Sequence, residues 1–298
     1  MGTFQLRVSP WRRSQTGLPV AIELVYYIYS PSVLERSGVA PPERGWKWAD
    51  LADIAKKLTL VRGEDVQQWG YMMRDTAYEA LMNMKQNGAE LFSEDGRTFL
   101  PDVEKVEEAW EWTFGLVQLN HMAFPHRFDL FATGRIGIYQ TGTWGIAQVR
   151  AANRDFALAP PLTGQIAATA ANAQLFMAFR SGNPAKERAA AEFIAWVTQP
   201  PQAARHAIAW ANLPARFSTI SEPAFSPVLD MAGSEYLEDY LTAAWDYHWH
   251  PVLQKVLGSL ERNFNAGLAG QIPMSEAVTN VRLEGQAELE RFLHDRSN

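Results

Sequence analysis

The chain predicts an α/β fold with a helix-rich C-terminus. Three observations carry that reading. Strand and helix signals alternate through the first two thirds. From about Glu222 to Leu293 only helical signals remain, broken at Pro251, Gly270 and Pro273. The composition, 47% hydrophobic and 20% charged over 298 residues, is that of a chain able to bury a core of one large domain or two.

Each element has its own signal. Ile22 to Tyr29 is rich in β-branched and aromatic residues and reads as a strand. Ser32 is the expected cap of a short helix ending at Arg36, with Gly38 as its stop. Trp48, Leu51, Ala52, Ala55 and Leu58 recur at helical spacing, with lysines in the last turn. Helices follow at Asp75 to Asn87, stopped by Gly88, and at Asp102 to Asn120, with an acidic first turn. Ser93 to Gly96 is a turn. Phe128 to Thr133 reads as a short helix before Gly134, and Ile136 to Gln140 as a strand followed by a turn over Thr141 to Trp144. Short strands are expected at Phe156 to Pro161 and Leu175 to Phe179. Asn183 then caps a helix over Pro184 to Val197, with a second over Pro200 to Ala211 and a loop over Leu213 to Arg216.

The composition narrows the function. Net charge is −6, which argues against a nucleic-acid partner. There is no cysteine, so disulfides, thiolate metal sites and cysteine nucleophiles are excluded. No run of about 18 apolar residues spans a membrane. Met1 to Gln15 carries Arg7, Arg12 and Arg13 but no apolar stretch, so it is not a secretory signal; either the protein is cytoplasmic or its start lies upstream. Eleven tryptophans suit core packing or stacking platforms for flat ligands and sugar rings. No nucleophile elbow, zinc-protease helix or phosphate loop is present, although carboxylates are numerous enough that a glycosidase pair cannot be dismissed by counting. His248 and His250 flank Trp249 at a spacing metal sites sometimes use, but no third ligand accompanies them, and no metal site or cofactor is expected.

Three stretches together resemble family 1 extracellular solute-binding proteins, the group of maltose- and other sugar-binding proteins. The first is Gly17-Leu18-Pro19-Val20 through Tyr29-Ser30 to Gly38, Pro41-Pro42 and the Trp48 to Thr59 helix; Ser30 stands where Asn is usual. The second runs from Phe131 and Gly134-Arg135 to Gly142-Thr143-Trp144. The third runs from Phe156 to Pro160-Pro161, then Phe176 to Arg180, Asn183-Pro184 and the helix holding Phe193, to Leu213-Pro214-Ala215-Arg216.

The resemblance implies a class II periplasmic-binding-protein-like bivalve: two lobes joined by hinge strands, closing on ligand. The hinge crossovers fall near 17–23, 156–161 and 213–217. One lobe is formed by 21–157 with 217–298, and the other is represented only by 1–20 and 158–216. Members normally carry an upstream signal peptide and about a hundred further residues of the first lobe, a domain-sized piece. The implied role is capture of a mono- or oligosaccharide outside the cytoplasmic membrane, in the periplasm or at the cell surface. The monomeric protein would deliver it to an ABC permease without chemistry. A carbohydrate-active enzyme with an aromatic cleft, or a truncated remnant that binds nothing, are the alternatives.

Sugars offer flat CH faces to aromatic rings and hydroxyls to planar polar groups. By resemblance Trp144 is the stacking residue, against a role as a core tryptophan at a strand end. Gly142 would allow close backbone approach. Thr141 and Thr143 would offer hydroxyls, against ordinary turn chemistry. Arg216 suits vicinal hydroxyls or an inter-lobe ion pair. Glu23 is a hydroxyl acceptor or an exposed strand carboxylate. Asn172, Trp210 and Trp249 complete the candidates.

Overall fold

The computed structural model describes residues 17–74, 76–123, 127–152, 155–210, 212–220, 222–223, 232–247 and 250–297. Its spine is β1 (Leu18–Tyr29), longer than the predicted strand and central to the sheet. Residues along a strand alternate faces, and β1 uses this fully. Val25 and Tyr27 belong to the larger core, whereas Leu24, Tyr26 and Ile28 belong to a second core on the opposite face. The near-continuous apolar run of β1 therefore reflects burial on both sides.

Helix α1 (Pro31–Arg36) follows, capped by the Ser30 hydroxyl accepting from the Val33 amide rather than by Ser32. Pro31 takes the first helical position, which needs no amide donor and so moves the cap one residue earlier than Ser32 would place it. Helix α2 (Trp48–Leu58) lies where its periodicity puts it and buries Leu51, Ala55 and Leu58. The chain then adds β2 (Leu60–Arg62), β3 (Asp65–Met72), α3 (Ala77–Gln86), α4 (Val103–Gln118), β4 (Met122–Ala123) and α5 (Phe128–Ala132). Gly88, Gly96 and Gly134 hold the left-handed backbone that their stops and turns require.

Two expectations for the middle of the chain are corrected. The predicted turn after Gln140 does not exist: β5 (Ile136–Gly142) runs directly into α6 (Thr143–Ala151). The second is a register error. The strand expected at Leu175 to Phe179 is β7 (Thr169–Phe176), five residues of which precede Gln174; β6 is only Ala157–Leu158. The alanines of Thr169–Ala173 have weak strand propensity, and pairing with β1 overrides it. Helices α7 (Pro184–Val197) and α8 (Pro200–Ala209) come next. Asn183 accepts from the amides of Ala185 and Lys186 as the N-cap of α7. Leu213–Pro214, expected as loop, is the short strand β8 paired with Ala21 and Ile22.

The C-terminal part is not purely helical. A helix at Leu237–Ala243 gives way to β9 (Ala244–Asp246), parallel to the start of β7, before the long helices Leu253–Leu268 and Met274–Ser297. The sheet order is β2-β3-β5-β1-β7-β9. Helices α2, α3, α4 and the last two cover one face, and α5, α6 and the 237–243 helix cover the other. Val20, Ala21 and Ala203 form a small third cluster where α8 meets the start of β1. His250 packs into the larger core, stacked on Phe92 at 4.1 Å with its Nε2 3.1 Å from the Gly96 carbonyl. His248 and Trp249 lie outside the described residues.

Candidate functional site

β3 and β5 run parallel, with Tyr71 opposite Ile138 and Met72 opposite Tyr139. In open α/β sheets, ligands settle outside the carboxyl ends of such strands. The two residues placed there are Arg74, just past β3, and Trp144, in the first turn of α6 just past β5. The Arg74 guanidinium lies 5.5 Å from the centroid of the Trp144 ring, within cation–π range. Its Nε is 3.9 Å from Glu79 Oε1, a loose pairing with a fully buried carboxylate that also accepts from Thr76 Oγ1.

Trp144 is half-buried and its Nε1 makes no hydrogen bond among the described residues. Its benzo edge lies flat over Gly142: a Cβ at that position would come within 2.1–2.4 Å of three ring carbons. The close approach that Gly142 permits is therefore to the indole of its own chain. Thr141 and Thr143 are buried, with Thr141 against Gly145 and Thr143 Oγ1 donating to Asn212 Oδ1. The Thr143 hydroxyl thus ties the strand-to-helix junction that holds Trp144 to Asn212, whereas the buried Thr141 Oγ1 has no hydrogen-bond partner among the described residues.

A second polar group sits beside the first on β1 and β7. Glu23 and Asn172 are direct cross-strand partners. The Glu23 carboxylate accepts from Gln174 Nε2 at 2.5 Å and from Asn172 Nδ2 at 3.5 Å. Tyr78, half-buried on α3, has its phenol pushed above its ordinary value by burial first and then by the carboxylates of Glu23, Glu261 and Glu79. Tyr139 is pushed up by burial, opposed by Thr141 and Arg74. The structure thus gathers aromatic rings, carboxylates, amides and a guanidinium, groups able to stack on a ligand and to hydrogen-bond with it. Among the described residues no three potential metal ligands converge.

Two other predicted residues lie on other elements. Arg216 is exposed after β8. Trp210, at the end of α8, is exposed and belongs to an aromatic row with His206, Phe176, Phe193 and Trp196. Trp249 lies outside the described residues. Sequence reasoning missed Arg74, Tyr78 and Glu79. The available signal was an arginine directly after the apolar run Tyr71-Met72-Met73, where a strand leaves its core.

Two grooves lie elsewhere, one of about 490 Å³ lined by Val39, Pro41, Pro42, Trp46, Ile54 and Lys57, the other of about 340 Å³ beside Pro160 and Pro161. Their polar anchors are already committed: Trp46 Nε1 donates to the Pro160 carbonyl and Arg44 pairs with Asp239.

Residues 8–228 match the sequence profile of the bacterial extracellular solute-binding proteins. The chain belongs to that family. Solved structures share the solute-binding chain's fold at low identity. An ABC substrate-binding protein from Listeria monocytogenes in complex with cycloalternan is 21% identical, with a TM-score of 0.79 over 94% of this chain and 72% of that one. A cyclic alpha-maltosyl-1,6-maltose binding protein from Arthrobacter globiformis is 17% identical, with a TM-score of 0.76 over 93% of this chain and 73% of that one. A sugar-binding protein from Xanthomonas citri is 16% identical, with a TM-score of 0.77 over 94% of this chain and 72% of that one. No curated protein sequence matches the solute-binding chain significantly. Its fold and family are thus those of binding proteins, and no helix among the described residues is long and apolar enough to cross a membrane.

Proposed function

We propose that the chain is the substrate-binding component of an ABC importer and captures a mono- or oligosaccharide outside the cytoplasmic membrane, in the periplasm or at the cell surface. The observation that carries the reading is the Trp144 platform. One indole is seated over Gly142 and braced by Arg74 at the carboxyl ends of β3 and β5, beside the Glu23, Asn172 and Gln174 group. Ring faces stack on the indole, and hydroxyls meet the carboxylate and amides. Solved proteins of this fold that carry or are named for maltose- or alternan-type oligosaccharides support the choice of ligand class.

The proposed organisation is two lobes, 21–157 with 217–298 and 1–20 with 158–216, hinged near 17–23, 156–161 and 213–217. Ligand favours the closed arrangement and so shifts the population toward it. A permease subunit is the receiving partner, the protein acts as a monomer, and no turnover or cofactor is involved.

The test is a thermal-shift and calorimetric screen of neutral mono- and oligosaccharides. A saturable shift without product release is expected. Trp144→Ala should weaken binding by more than about tenfold, equivalent to about 1.4 kcal/mol, the scale of one lost stacking ring. Unchanged affinity in a folded variant removes Trp144 from the site; sustained release of sugar products overturns the binding role.

A further inference from the structure

Donors and acceptors around Trp144 do not balance. The carboxylates are engaged within the chain: Glu23 accepts from Gln174 and Asn172, Glu261 Oε2 accepts from the Ala77 amide at 3.0 Å, and Glu79 accepts from Thr76. Two donors are left over. Arg74 Nε and Trp144 Nε1 are buried atoms, and neither has an acceptor among the described residues. A buried donor without a partner is unfavourable, and a bound acceptor relieves it. The two side chains lie together, with the guanidinium 5.5 Å from the ring centroid. Both keep part of their surface exposed, 28% for Arg74, so a ligand can reach them.

Charge decides the kind of acceptor. Arg74 Nε meets Glu79 only at 3.9 Å, outside hydrogen-bond distance, so that pair does not use up the planar fork. Helix α6 opens beside it with no side-chain cap, and the positive end of its dipole adds to the attraction for a negative group. Against this stand the carboxylates of Glu23, Glu261 and Glu79, which together raise the Tyr78 phenol and oppose a large negative charge. A singly charged, planar carboxylate matches the guanidinium fork in that setting. A phosphate, close to doubly charged, does not.

We propose that the ligand is an acidic saccharide, a uronic acid or an oligosaccharide containing one, and that Arg74 is its specificity-determining residue. The guanidinium takes the sugar carboxylate, the Trp144 indole N–H donates to a neighbouring oxygen, and the sugar ring packs on the indole. This deepens the sugar-binding reading and rests on it.

Calorimetry with D-galacturonate, D-glucuronate and trigalacturonate, set against D-galactose, D-glucose and maltotriose, tests the proposal. At least one acid should bind about tenfold or more tighter than its neutral counterpart. Arg74→Gln should cut that acid-to-neutral ratio by about tenfold, and Arg74→Lys by less, since it keeps the charge but not the fork. Glu79→Gln removes a competing carboxylate and should raise the ratio by about threefold or more, which a purely structural Arg74–Glu79 pair would not do. If Arg74→Gln unfolds the chain by leaving Glu79 buried without its cation, the double variant Arg74→Gln with Glu79→Gln measures the same loss of ratio. Neutral sugars that bind as tightly as every acid, or a ratio unmoved by loss of Arg74, overturn the proposal and leave the sugar-binding reading standing. Preference for glucose 6-phosphate over the uronates overturns it as well. Absence of binding by any sugar, acidic or neutral, removes the sugar-binding reading and this proposal with it.

Discussion

Replacing Gly142 by alanine tests the geometry of the candidate site without knowledge of the ligand. The added Cβ would stand 2.1 Å from Cη2, 2.3 Å from Cζ3 and 2.4 Å from Cζ2 of Trp144. Carbon atoms rest at about 3.5–4.0 Å, so the ring must retreat by more than about an ångström. It is held from moving freely by α6, whose Thr143 is tied to Asn212, and by the Arg74 guanidinium. Overpacking of this order costs about 1–3 kcal/mol. At about 2–4 °C per kcal/mol for chains somewhat smaller than this one, Gly142→Ala should lower Tm by roughly 2–12 °C. The clash is with one side chain, so it vanishes when that side chain is removed. In the Trp144→Ala background the same substitution should cost about 0.5 kcal/mol or less, a coupling of about 1–3 kcal/mol across the double-mutant cycle. Urea denaturation of the four proteins measures it. Additivity within about 0.5 kcal/mol would mean that the indole does not lie over Gly142, and the stacking platform would fall with it.

Two further outcomes follow from local physics. Asn183→Ala removes the side-chain oxygen that accepts from the amides of Ala185 and Lys186 at the start of α7, and should cost about 1 kcal/mol by chemical denaturation. Burial raises the phenols of Tyr26, Tyr27, Tyr71 and Tyr240 far above their ordinary value. A raised folded-state pKa contributes stability that is complete below the unfolded value near 10 and is lost as pH climbs past it. The urea midpoint should therefore hold to about pH 10 and then fall, by about 1.4 kcal/mol for each such phenol per pH unit; ultraviolet titration showing all nine tyrosines ionised near pH 10 in a still-folded protein would contradict this.

What was legible in the chain divides along physical lines. Helices with their own start and stop chemistry were readable to the residue. Trp48–Leu58 has its apolar stripe, and Pro184–Val197 has an Asn cap and a proline at its first position. The elements that escaped are those whose stability comes from partners distant in sequence. Thr169–Ala173 is a strand because β1 lies beside it, and Ala244–Asp246 because β7 does. Helix α6 has no strong apolar stripe, so Thr141 to Trp144 read as a turn when it is a strand running into a helix.

The same division governs the site. Trp144 and Gly142 are singled out by the resemblance of Gly142-Thr143-Trp144 to the family's Gly-x-Trp element, yet the reason for the glycine, an indole lying on it, is visible only in three dimensions. Glu23 and Asn172 were chosen separately, and the sheet makes them neighbours across 149 residues. Arg74 carries only a weak local signature, a cation directly after the apolar run Tyr71-Met72-Met73. It matters because β3 and β5 are parallel and in register, which brings a residue just past one strand onto a ring just past the other, 70 positions later. A substitution that disturbs that register without touching either residue should therefore impair binding as Trp144→Ala does. Gly70→Ala is such a change, because its Cβ would meet the Ala55 carbonyl oxygen at 1.9 Å and push β3 away from α2. A Gly70→Ala protein that stayed folded with unaltered sugar affinity would show that the pairing of Arg74 with Trp144 is incidental to the site.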